Sequence, residues 1–102
     1  MDAPILLGRI LQRMIDQQYA QVIGNHRFGL VDYSKTTLTV TRENGADTPV
    51  PFKKLIRGIE AYQQNNDPYH DGPAALRAYG ITHIISPVFA LLRLIPADSY
   101  RI

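Results

Sequence analysis

The chain has 102 residues, 45% of them hydrophobic and 20% charged, which supports one hydrophobic core and excludes a globally disordered state. It holds no cysteine, so thiol catalysis and disulfide staples are excluded and a reducing, cytoplasmic setting is expected. A net charge of +2 and a pI near 9.1 permit a polyanionic partner without requiring one.

Asp2 followed by Pro4 reads as an N-cap with proline in the first turn of a helix. Leu6, Leu7, Ile10, Leu11, Met14 and Ile15 then recur at helical spacing, with Arg9, Arg13, Asp16 and Gln17 on the other face. The spacing predicts a helix over Pro4–Gln18, which Tyr19 to Ile23 could lengthen by a turn before Gly24-Asn25 stops it. Two runs rich in β-branched and aromatic residues follow, Phe28–Tyr33 and Thr37–Arg42, joined by Ser34-Lys35-Thr36. In the second, Leu38 and Val40 alternate with Thr37, Thr39 and Thr41, so one face meets the core and the other meets water. Glu43-Asn44-Gly45 is a turn signal, after which Thr48–Pro51 returns as a short strand. Its two prolines confine that strand to an edge.

Pro51 opens an amphipathic helix to Tyr62, with Phe52, Leu55, Ile56 and Ile59 inward and Lys53, Lys54, Arg57 and Glu60 outward. Ile56 is expected in the core, against the Leu38/Val40 face of the sheet. Tyr69-His70-Asp71-Gly72 reads as loop, Pro73–Tyr79 as a short helix closed by Gly80, and Val88–Ile95 as a last helix entered through Ser86-Pro87. Only Arg93 is charged in that last helix, which makes it a central one. The expected fold is α+β: an N-terminal helix, a two- or three-stranded antiparallel meander, then three helices packed on it, in a single domain over 1–102. The longest apolar stretch, Ile81 to Ile95, is interrupted by His83, Ser86, Pro87 and Arg93 and falls short of a membrane span of ~20 residues. The first residues lack the basic region of a secretory signal. No membrane partner is expected.

Little in the chain points to catalysis. His26, His70 and His83 lack metal-ligand spacing, and the pattern suggests a loop residue at His26 and a half-buried, hydrogen-bonded imidazole at His83. Tyr69, His70 and Asp71 stand together and would serve acid–base or metal chemistry beside a pocket; Asp71 serves equally well as the N-cap of the helix opened by Pro73. No carboxylate is followed two residues later by lysine, the pattern a metal-dependent nuclease often shows, and no glycine-rich phosphate loop is present. No catalytic residue, metal site or cofactor is assigned. All the excess positive charge lies in residues 1–60, eight Lys/Arg against six Asp/Glu. There Lys53, Lys54 and Arg57, with Lys35 and Arg42 on the hairpin, could follow a phosphate backbone.

The run from Phe28 to Pro96 resembles accessory domains of prokaryotic restriction-type nucleases and other mobile-element proteins. The likeness rests on the strand pair Phe28-Gly29-Leu30-Val31-Asp32 and Leu38-Thr39-Val40, Gly45, the proline-led helix Pro51 to Tyr62, and Ala90-Leu91-Leu92 before Pro96. It implies a recognition module rather than the nuclease itself, and it carries no functional residue over. Three functions stay open: a non-catalytic module contacting nucleic acid or a protein partner through the basic face, a small-ligand protein or enzyme with a pocket near Tyr69, His70 and Asp71, and a homodimeric assembly protein. The dimer would form through the Phe28–Tyr33 strand, as an unprotected edge, or through the first helix.

Overall fold

The computed structural model describes residues 2–21, 27–42 and 45–101. His26, the Gly24-Asn25 stop and the Glu43-Asn44 part of the turn signal lie outside the described residues. The elements run α1 (Ala3–Gln17), β1 (Tyr19–Gln21), β2 (Arg27–Tyr33), β3 (Thr37–Arg42), β4 (Asp47–Pro51), α2 (Phe52–Gln64), α3 (Asp67–Asp71), a 3₁₀ segment (Pro73–Tyr79), α4 (Ile85–Leu92) and a closing 3₁₀ turn (Ala97–Tyr100). No helix among the described residues is long and apolar enough to cross a membrane.

In α1, Leu6, Ile10 and Met14 are fully buried, one per turn, with Leu7 and Leu11 packed at their flank. Asp2 takes the N-cap position, but its side chain makes no capping bond; its carbonyl accepts the N–H groups of Ile5 and Leu6 at 3.0 and 3.2 Å. At the other end Gln18 adopts a left-handed conformation (φ 72°), donates its N–H to the Met14 carbonyl at 2.7 Å and its side-chain amide to the Ile15 carbonyl at 2.6 Å. This cap turns the chain back at once. Tyr19–Gln21 therefore leaves the helix as a strand, β1, instead of lengthening it, and the meander has four strands rather than two or three.

The sheet order is β1-β2-β3-β4, with every neighbouring pair antiparallel. Ala20, Phe28, Leu38, Val40 and Val50 are buried on its inner face, while Thr37, Thr39 and Thr41 stay half-exposed on the other. Phe28–Tyr33 is not an open edge along its length, because β1 pairs with it from Arg27 to Gly29 and Leu30 donates to the Gln18 carbonyl at 2.9 Å. Past a bulge at Val31 the strand outruns β1, leaving Val31 and Tyr33 47% and 56% exposed. β4 does lie at an edge, as its prolines require. Arg42 donates to Ala46 and Phe52 to Thr36, so by alternation Pro49 and Pro51 hold the positions whose nitrogens point away from β3.

α2 buries Leu55, Ile59 and Tyr62; Ile56 is only half-buried, because the inward stripe is centred on Leu55, Gly58 and Ile59 rather than one residue further on. Gly58 allows α4 to come close: a Cβ there would stand 2.6 Å from Leu92 Cδ1. α4 begins at Ile85, with Ser86 and Pro87 inside its first turn and Ile84 at the cap position (φ 49°). It is buried from Pro87 to Leu92, as its near-absence of charge implies. Its end is finished by tyrosines from elsewhere. The Tyr100 hydroxyl donates to the Leu92 carbonyl, and the Tyr69 hydroxyl donates to the Ile95 carbonyl at 2.9 Å. The Tyr62 ring meets both edge-on, with centroids 5.7 Å from Tyr69 and 5.0 Å from Tyr100.

Candidate functional site

With Leu55, Ile59 and Tyr62 turned inward, the helical period places Lys53 and Arg57 one turn apart on the outer side of α2. Both are exposed. Lys54, one residue round the helix, is half-buried, and its Nζ lies 3.5 Å from the His83 carbonyl. The three line a cleft of about 230 Å³ whose far wall is Gly80 and Ile81. Gly80 shapes that wall: it closes the 3₁₀ segment at φ 86°, and a Cβ on it would stand 2.7 Å from Arg57 Nη1. Only glycine both takes this backbone and leaves room for the guanidinium. On its other side Arg57 lines a second cleft of about 250 Å³ with Glu60, Gln64 and Tyr79.

The cations of this cleft form no ion pair. The single ion pair among the described residues, Arg101–Asp98 at 3.7 Å, involves none of Lys53, Lys54 and Arg57. The first turn of α2 has no acidic residue and no side-chain cap, so the positive end of its dipole adds to the lysines beside it.

The five basic residues singled out from the sequence do not form one surface. Lys35 sits in the β2–β3 turn, whose next residue, Thr36, accepts the N–H of Phe52 at 2.8 Å; it therefore lies at the end of the sheet where α2 begins. Arg42 closes β3 at the opposite end, roughly 17 Å along the strand from Thr37, with its guanidinium 5.9 Å from the Phe28 ring centroid. Lys35 thus lies near the start of α2, where Lys53 and Lys54 stand, whereas Arg42 lies at the far end of the sheet.

Tyr69, His70 and Asp71 lie in a short helix, α3, rather than in a loop. Tyr69 is buried, its hydroxyl held by the Ile95 carbonyl and its ring covered by Arg93 at 4.9 Å. His70 and Asp71 are exposed. The three side chains are thus split between core and solvent, which leaves Tyr69 no free hydroxyl for acid–base work. Asp71 does not cap the segment after it; that position belongs to Gly72, with no side-chain bond. His83 is exposed instead of half-buried, because the chain turns outward between Ile81 and Ile84. Among the described residues no three His, Asp or Glu side chains come together to hold a metal. The shifted titrations are internal: burial pushes the Tyr62 and Tyr100 hydroxyls well above the ordinary tyrosine range.

The wall formed by Gly80 and Ile81 was not legible in sequence, where Gly80 signals only a helix end. Comparison with family models, curated proteins and solved structures gives no match to this chain.

Proposed function

We propose that this domain is a non-catalytic accessory module that docks the phosphate backbone of a nucleic acid through Lys53, Lys54 and Arg57, with Lys35 at the margin. The observation that carries the reading is the convergence on one cleft, against the Gly80–Ile81 turn, of three cations that form no ion pair among the described residues. Such a surface supplies charge and reach but no base-reading groups, so binding is weak, poorly specific and salt-dependent. An accessory role is also what the resemblance to domains of restriction-type nucleases and mobile-element proteins implies. Exposed Val31 and Tyr33, close in sequence to Lys35, favour a protein partner as the second reading.

Titration of duplex and single-stranded oligonucleotides by fluorescence anisotropy at low salt tests the proposal. If three phosphates are neutralised, log K falls against log salt with a slope of about −2 to −3. Lys53→Glu/Arg57→Glu alters two exposed positions, so it keeps its fold and loses that binding. No binding by the parent, or equal binding by the folded double variant, rejects the nucleic-acid reading and leaves the protein-partner reading.

A further inference from the structure

A third cleft, of about 300 Å³, lies between the polar face of α1 and the closing turn. Arg9, Gln12, Arg13 and Asp16 form one wall; Ile95 and Ser99 stand on the other. This volume reaches the lower end of the range for small-molecule sites, ~300–1,000 Å³, whereas the α2 clefts do not. The geometry points to a binding site for a small phosphorylated sugar.

Three features support that chemistry. Arg9 and Arg13 are one turn apart on one helix face, so two guanidiniums can bracket a single phosphate, the group their planar forks recognise best. Neither makes an ion pair among the described residues, and the nearby Asp98 is engaged by Arg101 at 3.7 Å. Asp16, about 10 Å along the helix from Arg9, closes the row with a carboxylate. One of its oxygens accepts the Gln12 amide at 2.9 Å, and the other can accept ligand hydroxyls. Along α1 the cleft thus offers cations at one end and a hydroxyl acceptor at the other, with Ser99 also in its lining. Two arginines against one aspartate favour a dianion over a monoanion.

The second wall is fixed before any ligand arrives. Ile95 is held through its carbonyl by Tyr69, Asn66 Nδ2 donates to the Ala97 carbonyl at 3.2 Å, and Tyr100 is anchored on Leu92. Little ordering is left for binding to cost.

Calorimetric titration of the full chain with ribose 5-phosphate, inorganic phosphate and ribose tests the site. Ribose 5-phosphate binds most tightly, inorganic phosphate more weakly, and ribose not at all. Arg9→Gln/Arg13→Gln, at two exposed positions, weakens ribose 5-phosphate by about tenfold or more, whereas Arg77→Gln changes nothing. Asp16→Asn narrows the gap between ribose 5-phosphate and phosphate, because it exchanges the charged acceptor of the sugar hydroxyls for a weaker, neutral one, while the repulsion it lifts is felt by both phosphates alike. Absence of ribose 5-phosphate binding up to about 10 mM overturns the assignment. So does equal affinity for the two phosphates in the parent, or unchanged binding by the folded double-arginine variant.

Discussion

The same substitution, tyrosine to phenylalanine, should have opposite signs at two touching residues of the core. Tyr62 and Tyr100 are both buried, with ring centroids 5.0 Å apart. The Tyr62 hydroxyl has no hydrogen-bond partner among the described residues, while the Tyr100 hydroxyl satisfies the Leu92 carbonyl at the end of α4. An unpaired buried hydroxyl costs about 1–3 kcal/mol in lost hydration, so Tyr62→Phe removes a liability and keeps the edge-on ring contacts. A gain of ~1 kcal/mol is expected. Tyr100→Phe loses a bond and strands a buried carbonyl, a loss of about 1–3 kcal/mol. The two variants should differ by roughly 2–4 kcal/mol, or on the order of 10 °C in melting temperature for a domain of this size. Urea titration followed by circular dichroism, with equal m-values, reads the difference directly. Tyr62→Phe destabilising the domain as much as Tyr100→Phe would refute the reasoning, since the Tyr62 hydroxyl would then have a partner.

Gly58→Ala gains about 1 kcal/mol of helix propensity but drives a methyl into Leu92, an overpacking that costs ~1–3 kcal/mol. The net effect in urea is a loss of up to ~2 kcal/mol, which turns into a gain of ~1 kcal/mol when Leu92→Ala is already present; additive behaviour would remove the close approach. Alkaline pH should unfold the domain. Desolvation by burial raises Tyr62 and Tyr100 above their ordinary value of 10.0; neighbouring tyrosines add to this, and Arg93 opposes it at Tyr62. Stability from these groups is complete below pH 10.0 and falls above it, because the unfolded chain then releases protons that the folded chain retains. The loss is ~1.4 kcal/mol per pH unit for each group, and a urea series from about pH 9 to 12 should show a shallower fall in Tyr62→Phe.

How much of this was legible depended on how many residues carried each signal. α1 and α2 announce themselves through several turns of apolar repeat set against charge, and α4 through six successive buried positions from Pro87. β1 has three residues, too few for a period, and the turn that creates it uses glutamine in a conformation usually marked by glycine. Ile56 and Leu55 are equally apolar; which of them faces inward depends on the packing of α1 and α4 against α2. The cations of the candidate site were visible because they share one helix. Their opposite wall, Gly80 and Ile81, lies beyond α3 and the 3₁₀ segment, and no local pattern links it to α2. Arg42 shares a hairpin with Lys35 in sequence, but strand β3 carries it to the opposite end of the sheet.

The prolines of β4 bear on how copies of this chain can associate. With Pro49 and Pro51 turned outward, a strand arriving at that side finds two of the three donor positions at Asp47, Pro49 and Pro51 missing. Strand exchange is therefore confined to the β1 side and the protruding end of β2. A second copy joined there head to head would present its own proline border outward. Growth by strand addition would then end at two, so the meander is guarded against fibrillar polymerisation by the stoichiometry its borders permit.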